Sequence, residues 1–122
     1  MFENIPTHLA VDDITTLTAV SATNLASSFV TAIDGSGWAQ DGTYTLDDGV
    51  DTGQLKIIYM KTEPNAAYVA RITVNSWGYS ADTTEQIVMG TQGMGVVCIW
   101  DGSNWYPIAR MDAAGDTDPT IT

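Results

Sequence analysis

The stretch that decides the fold is Gly95-Val-Val-Cys-Ile-Trp-Asp-Gly-Ser-Asn-Trp-Tyr-Pro-Ile-Ala-Arg110. Two apolar runs flank Asp101-Gly-Ser-Asn104, a cluster of turn formers. Asp and Asn bond their own backbone and tolerate left-handed angles, and Gly adopts those angles with no Cβ to clash. The stretch therefore predicts a β-hairpin with Val96–Trp100 and Trp105–Arg110 as its strands. Trp100 and Trp105 border the turn and are expected to clamp it across the strands.

Outward from the hairpin, the chain reads as more short strands. Gln54–Lys61 alternates, with Leu55, Ile57 and Tyr59 on one face and Lys56, Ile58 and Met60 on the other. Apolar groups on both faces predict a central strand, or one covered by a neighbouring subunit. Ala67–Val74, Thr43–Leu46 and Glu85–Met89 are further strands, separated by Gly-, Asp- and Pro-rich turns. Thr15–Val20 and Leu25–Ile33 read as strands too, the second opening on a helical turn capped by Thr23 or Asn24. About eight strands at this spacing predict an all-β fold, an antiparallel two-sheet sandwich, jelly-roll-like. The domain spans residues 14–111, with an extended N-terminal arm over 1–13 and a C-terminal tail over 112–122.

Composition narrows the function. Of the 122 residues, 15 are acidic and 4 basic, a formal net charge of −11. Nucleic-acid binding needs cations to displace counterions from phosphates, so no nucleic-acid partner is expected. An anionic membrane surface is disfavoured for the same reason. The chain has neither the n-region and apolar core of a signal peptide nor an 18-residue apolar stretch, so no membrane association is expected. Cys98 is the only cysteine, which rules out an internal disulfide; within an apolar strand it reads as a small buried hydrophobe.

Candidate chemistry is sparse. His8 is the only histidine and has no positioned acid beside it. Asp47, Asp48 and Asp51 lack the alternation and distal Glu of an EF-hand loop, and turn chemistry explains them. No zinc spacing, phosphate-cradling loop or dinucleotide fingerprint appears. The expectation is a non-enzyme with no catalytic residues, cofactor or metal. Candidate contact residues are Phe2, Ile5, His8 and Leu9 in the arm, which are expected to meet a larger partner. Trp77 and Tyr79, in the loop Asn75–Asp82, are expected to be exposed aromatics able to stack on a glycan or anchor a partner.

Four segments occur in order: Gly42-Thr-Tyr-Thr-Leu-Asp-Asp-Gly49, Gly53-Gln-Leu-Lys-Ile-Ile-Tyr-Met60, the alternating Ala67–Val74, and Val96-Val-Cys-Ile-Trp-Asp-Gly-Ser-Asn-Trp-Tyr106. In that order they resemble a family of bacteriophage and other viral virion proteins, marked by Gly-Gln-x-Lys-x-Ile and a closing Asp-Gly-Ser-Asn-Trp-Tyr. The resemblance covers a little over half the chain, from Thr43 to Arg110. It departs from the family pattern at Trp77–Met89, where the loop Trp77–Asp82 stands in place of a Gly-rich turn. The resemblance implies no active site. It implies a small structural β-module on the outer capsid surface of a virion, often a homotrimer. A capsid decoration (cement) protein bound to the major capsid protein is the first expectation. A tail fibre or spike module binding host glycans through its loop aromatics is the alternative.

Overall fold

In a computed structural model of the chain, residues 14–65, 67–79, 85–111 and 119–122 are described. Ten strands form among these residues: β1 Ile14–Leu17, β2 Ser21–Ala22, β3 Val30–Asp34, β4 Gly42–Leu46, β5 Leu55–Thr62, β6 Ala70–Val74, β7 Gln86–Met89, β8 Gly95–Trp100, β9 Trp105–Met111 and β10 Thr120–Ile121. They form two five-stranded sheets, ordered β1-β3-β5-β8-β9 (sheet A) and β2-β4-β6-β7-β10 (sheet B). The chain is all-β and a sandwich, as the strand count predicts.

The direction of the strands corrects the antiparallel jelly-roll order. β1, β3 and β5 run parallel to one another, as do β2, β4 and β6. Parallel neighbours cannot be joined by a tight turn and need a crossover. In this chain the crossover of each sheet is a strand of the other sheet, so the backbone winds A, B, A, B through β1–β6. From β7 onward the strands add antiparallel: β7 on β6, β8 on β5, β9 on β8 and β10 on β7. Both sheets are mixed.

Local chemistry explains the departures from the expected segments. The stretch around residue 25 does open on a helical turn, the 3-10 segment Leu25–Ser27, which follows Asn24 at φ 58°. Asn is among the few side chains that tolerate this left-handed angle. The side chain of Asn24 makes no capping bond, so the residue supplies the backbone bend alone. Thr120–Ile121, expected within a tail, pairs with Val88 and Ile87 as the edge of sheet B. The arm 1–13, with Phe2, Ile5, His8 and Leu9, lies outside the described residues.

The hairpin forms as its turn residues require. Asp101 Oδ1 accepts from the backbone N–H of Ser103 at 2.8 Å and of Asn104 at 2.7 Å. Gly102 adopts φ 102°, an angle a side chain would resist. Trp100 and Trp105 face each other in register, with ring centroids 5.4 Å apart.

Between the sheets lies the core. Ile33, Ile58, Met60, Val96 and Cys98 of sheet A meet Tyr44, Leu46, Ile72, Val74, Ile87 and Met89 of sheet B, all almost wholly buried. Three aromatic polar groups tie distant segments across it. Trp105 Nε1 donates to the Asp47 carbonyl at 2.8 Å, Trp38 Nε1 to the Thr18 carbonyl at 3.1 Å, and the Tyr44 hydroxyl to the Ala19 carbonyl at 2.6 Å. A buried indole or phenol needs such an acceptor to offset its lost hydration.

Candidate functional site

The two sheets differ on their outward sides. Register fixes which residues share a face, because paired residues project the same way. On the outward side of sheet B, one row across the strands reads Ser21, Thr43, Arg71, Val88, Thr120. The next reads Thr45, Thr73, Gln86. This is the hydrophobic-in, polar-out pattern of a sheet with one solvated face.

Sheet A breaks that pattern. Its outward rows are Leu55–Ile99–Tyr106, then Ile14–Val30–Ile57–Val97–Ala109, then Thr16–Ala32–Tyr59–Gly95–Met111. The middle row crosses all five strands without a polar side chain. Across the three rows there is no carboxylate, amine or guanidinium. The rim residues are the most exposed, with Ile14 at 49%, Tyr106 at 39% and Met111 at 37%, whereas Leu55, Ile57, Val97 and Ile99 are half-buried by one another. Gly95 completes the face by close packing, because the Met111 side chain lies where a Cβ on Gly95 would project, beside Tyr59. The expectation that β5 carries apolar groups on both faces therefore extends to a whole sheet. A contiguous apolar face of this kind on a small protein marks an interaction surface.

The β9 edge of sheet A is blunted against further strand pairing. At β9 the register shifts between Val97 and Cys98, opposite a strand that contains Pro107, and such bulges and prolines discourage further pairing. The loop after β6 also closes on this edge. Trp105 N donates to the Ser76 carbonyl at 2.9 Å, and Gly78 N donates to the Trp105 carbonyl at 2.8 Å.

That loop holds the two aromatics expected at the surface, and it separates their roles. Trp77 is 5% exposed and belongs to the core, so its ring faces are not open to a sugar. This corrects the expectation of an exposed pair. The cause is Ser76, at φ 51°, which turns the chain inward, and the pairing of residues 76–78 with β9 draws the indole under the sheet. Tyr79 remains 43% exposed and contacts Trp77 edge-on, with centroids 6.2 Å apart. It lines a shallow groove of about 290 Å³ with Pro107, Ile108, Arg110 and Ile121. Trp77 Nε1 is buried and finds no acceptor among the described residues.

The second unexpected interior group is Lys56. The alternation places it on the same face as Ile58 and Met60, and that face is the inner one, so its side chain is fully buried. Its Nζ donates to Thr31 Oγ1 at 2.6 Å, the Ser28 carbonyl at 2.9 Å and Ser28 Oγ at 3.0 Å. Cys98 stands opposite Lys56 on β8, and burial pushes its thiol up to about 12 against a weaker opposing effect of the lysine charge. A thiol so raised stays protonated and is a poor nucleophile. Burial likewise pushes the Tyr44 hydroxyl up to about 12.

The acids serve turns and edges. Asp41 accepts from Val69 N at 3.0 Å and from Arg71 Nε at 3.2 Å. These contacts, the Val69 hydrogen bond first, hold its carboxyl below the ordinary range. Asp101 is held low by the Asn104 and Ser103 N–H groups, and Asp34 by its hydrogen bonds with Ser36. Among the described residues no group of three or more His, Cys, Asp or Glu side chains is arranged to hold a metal ion, and no helix is long and apolar enough to cross a membrane. No family model matches the chain, and no curated protein matches it either.

Proposed function

We propose that this chain is a structural virion protein, a capsid decoration module carried in many copies on the outer surface of a viral shell. In this reading it assembles as a homotrimer, binds the major capsid protein and bridges neighbouring capsomers. Its role is to resist deformation of the shell rather than to perform chemistry. The viral setting rests on the ordered segments between Thr43 and Arg110 that resemble virion proteins.

One observation carries the assembly part of the reading: the outward face of sheet A is apolar across its full width, whereas that of sheet B is polar. Hiding apolar surface from water is worth roughly 25 cal/mol per Å², so such a face drives association. The chain's strong negative charge suits an exterior position away from packaged nucleic acid. The N-terminal segment, with Phe2, Ile5, His8 and Leu9, is assigned the contact with the shell in this proposal. The glycan-binding alternative loses one of its two aromatics, since Trp77 is buried.

The test is copy number and retention. Quantitative mass spectrometry of purified particles should find this chain in numbers comparable to the major capsid protein. Deleting residues 1–12 should abolish loading while leaving the circular dichroism of the sandwich unchanged. Absence from purified particles, or a copy number of only a few per particle, would reject the decoration role.

A further inference from the structure

From the rows of sheet A we infer that the occupant of its outward face is the same face of a second copy of this chain, and that the shell binds elsewhere. The inference rests on the reading above only for the premise that the face is an interaction surface, and it puts a twofold contact at this face in place of a threefold one. Three arguments select a second copy over the shell.

Charge is the first. Copies with a formal net charge of −11 repel one another, so they can meet only where acids are absent. The described acids with depressed carboxyls, Asp34, Asp41 and Asp101, lie at strand ends and in turns. The three outward rows of sheet A carry none. Two such faces brought together over these rows desolvate no charge, since Lys61 and Asp34 stand beyond them at the strand ends, whereas a charged partner surface would lose hydration without compensation.

Shape is the second. A twisted five-stranded face is matched by another of the same twist, and sheets pack this way about 10 Å apart with their strands nearly aligned. Identical faces meet across a twofold axis, the isologous contact of a dimer.

Area is the third. Two rows across five strands spaced about 4.8 Å apart and one row across three, each about 7 Å deep, give a flat footprint of about 420 Å² per copy. Counted on both sides this is about 850 Å² before the relief of the side chains is added, close to the roughly 1,000 Å² that a specific interface needs.

The experiment is the mass of the purified full chain in solution, by light scattering and native mass spectrometry over a dilution series. Wild type should show two chains, whereas three would mean a head-to-tail contact and overturn the face-to-face pairing. Val97→Asp, at the centre of the middle row, should shift it to a single chain, and Thr73→Asp on the outward face of sheet B should leave the mass unchanged. Should Val97→Asp fail to fold, hydroxyl-radical footprinting of the wild type probes the same face without a substitution. Met111 and Tyr106 should be protected when concentrated and oxidised on dilution. A wild-type mass of one chain at every concentration, an unchanged mass for folded Val97→Asp, or equal oxidation of Met111 and Tyr106 at all concentrations would overturn the inference. A single-chain protein that still coats particles would remove it and leave the decoration role standing. An oligomer that binds no particle would do the reverse.

Discussion

Replacing Trp105 by phenylalanine should destabilise the fold by about 3 kcal/mol, while the same replacement at Trp77 should leave stability within about 1 kcal/mol of wild type. Both indoles are buried, Trp105 at 0% exposure and Trp77 at 5%, and both would lose the same ring atoms. That loss costs roughly 2 kcal/mol at about 0.8 kcal/mol per buried carbon group. The hydrogen-bonding consequences are opposite. At Trp105 the substitution deletes the 2.8 Å bond to the Asp47 carbonyl, a further loss of about 1 kcal/mol. At Trp77 it deletes an N–H that has no acceptor among the described residues, relieving a penalty of about 1–3 kcal/mol that offsets the packing loss. The assay is urea unfolding followed by far-ultraviolet circular dichroism. It is run at one protein concentration for all variants, because assembly adds to apparent stability. With a slope of about 1.5 kcal/mol per molar urea, the Trp105→Phe midpoint should fall by about 2 M while that of Trp77→Phe barely moves. Equal losses in the two variants would refute the assignment of an unmet donor to Trp77.

The remaining predictions concern pH. Asp34, Asp41 and Asp101 have folded carboxyls below their ordinary 3.8, so the unfolded chain takes up protons first on acidification. Their contribution is present above about pH 3.8 and should be lost as pH falls through their folded values; Asp101→Asn should flatten the acid limb of a stability–pH curve, and an unaltered slope would discard the turn carboxylate as a contributor. At the other end, the folded Cys98 thiol binds its proton up to about 12 against an ordinary 9.0, so stability should fall as pH rises between these values. Tyr44 adds the same sign between 10.0 and about 12. Iodoacetamide at pH 8 should label Cys98 only after unfolding, and rapid labelling of the native chain would contradict its burial.

What is legible in the sequence divides along physical lines. The hairpin can be read because Asp101, Gly102 and Asn104 each have a local backbone reason to be there. The two-faced character of β5 can be read because alternation has a period of 2 and both halves of Leu55–Met60 are apolar, Lys56 apart. Strand direction cannot be read, since parallel and antiparallel strands share that period and the usual sign of a parallel pair, an intervening helix, is replaced by a strand of the other sheet. The burial of Trp77 is equally hidden, because its loop has no period of its own and its position is set by long-range pairing with β9. Lys56 is a milder case: Ser28 and Thr31, far away in sequence, converge on its amine and help to offset the burial of a cation in the core. β10 is invisible to alternation because two residues carry no period.

The alternate winding of β1–β6 bears on how the polypeptide matures. Each turn of the coil lays one strand on either layer, against strands already synthesised, so the first half of the molecule can be built up vectorially as it leaves the ribosome. The antiparallel half cannot be completed in that manner until Thr120–Ile121 emerge to pair with β7. That rim of sheet B thus closes only after every other strand of the sandwich has been laid down.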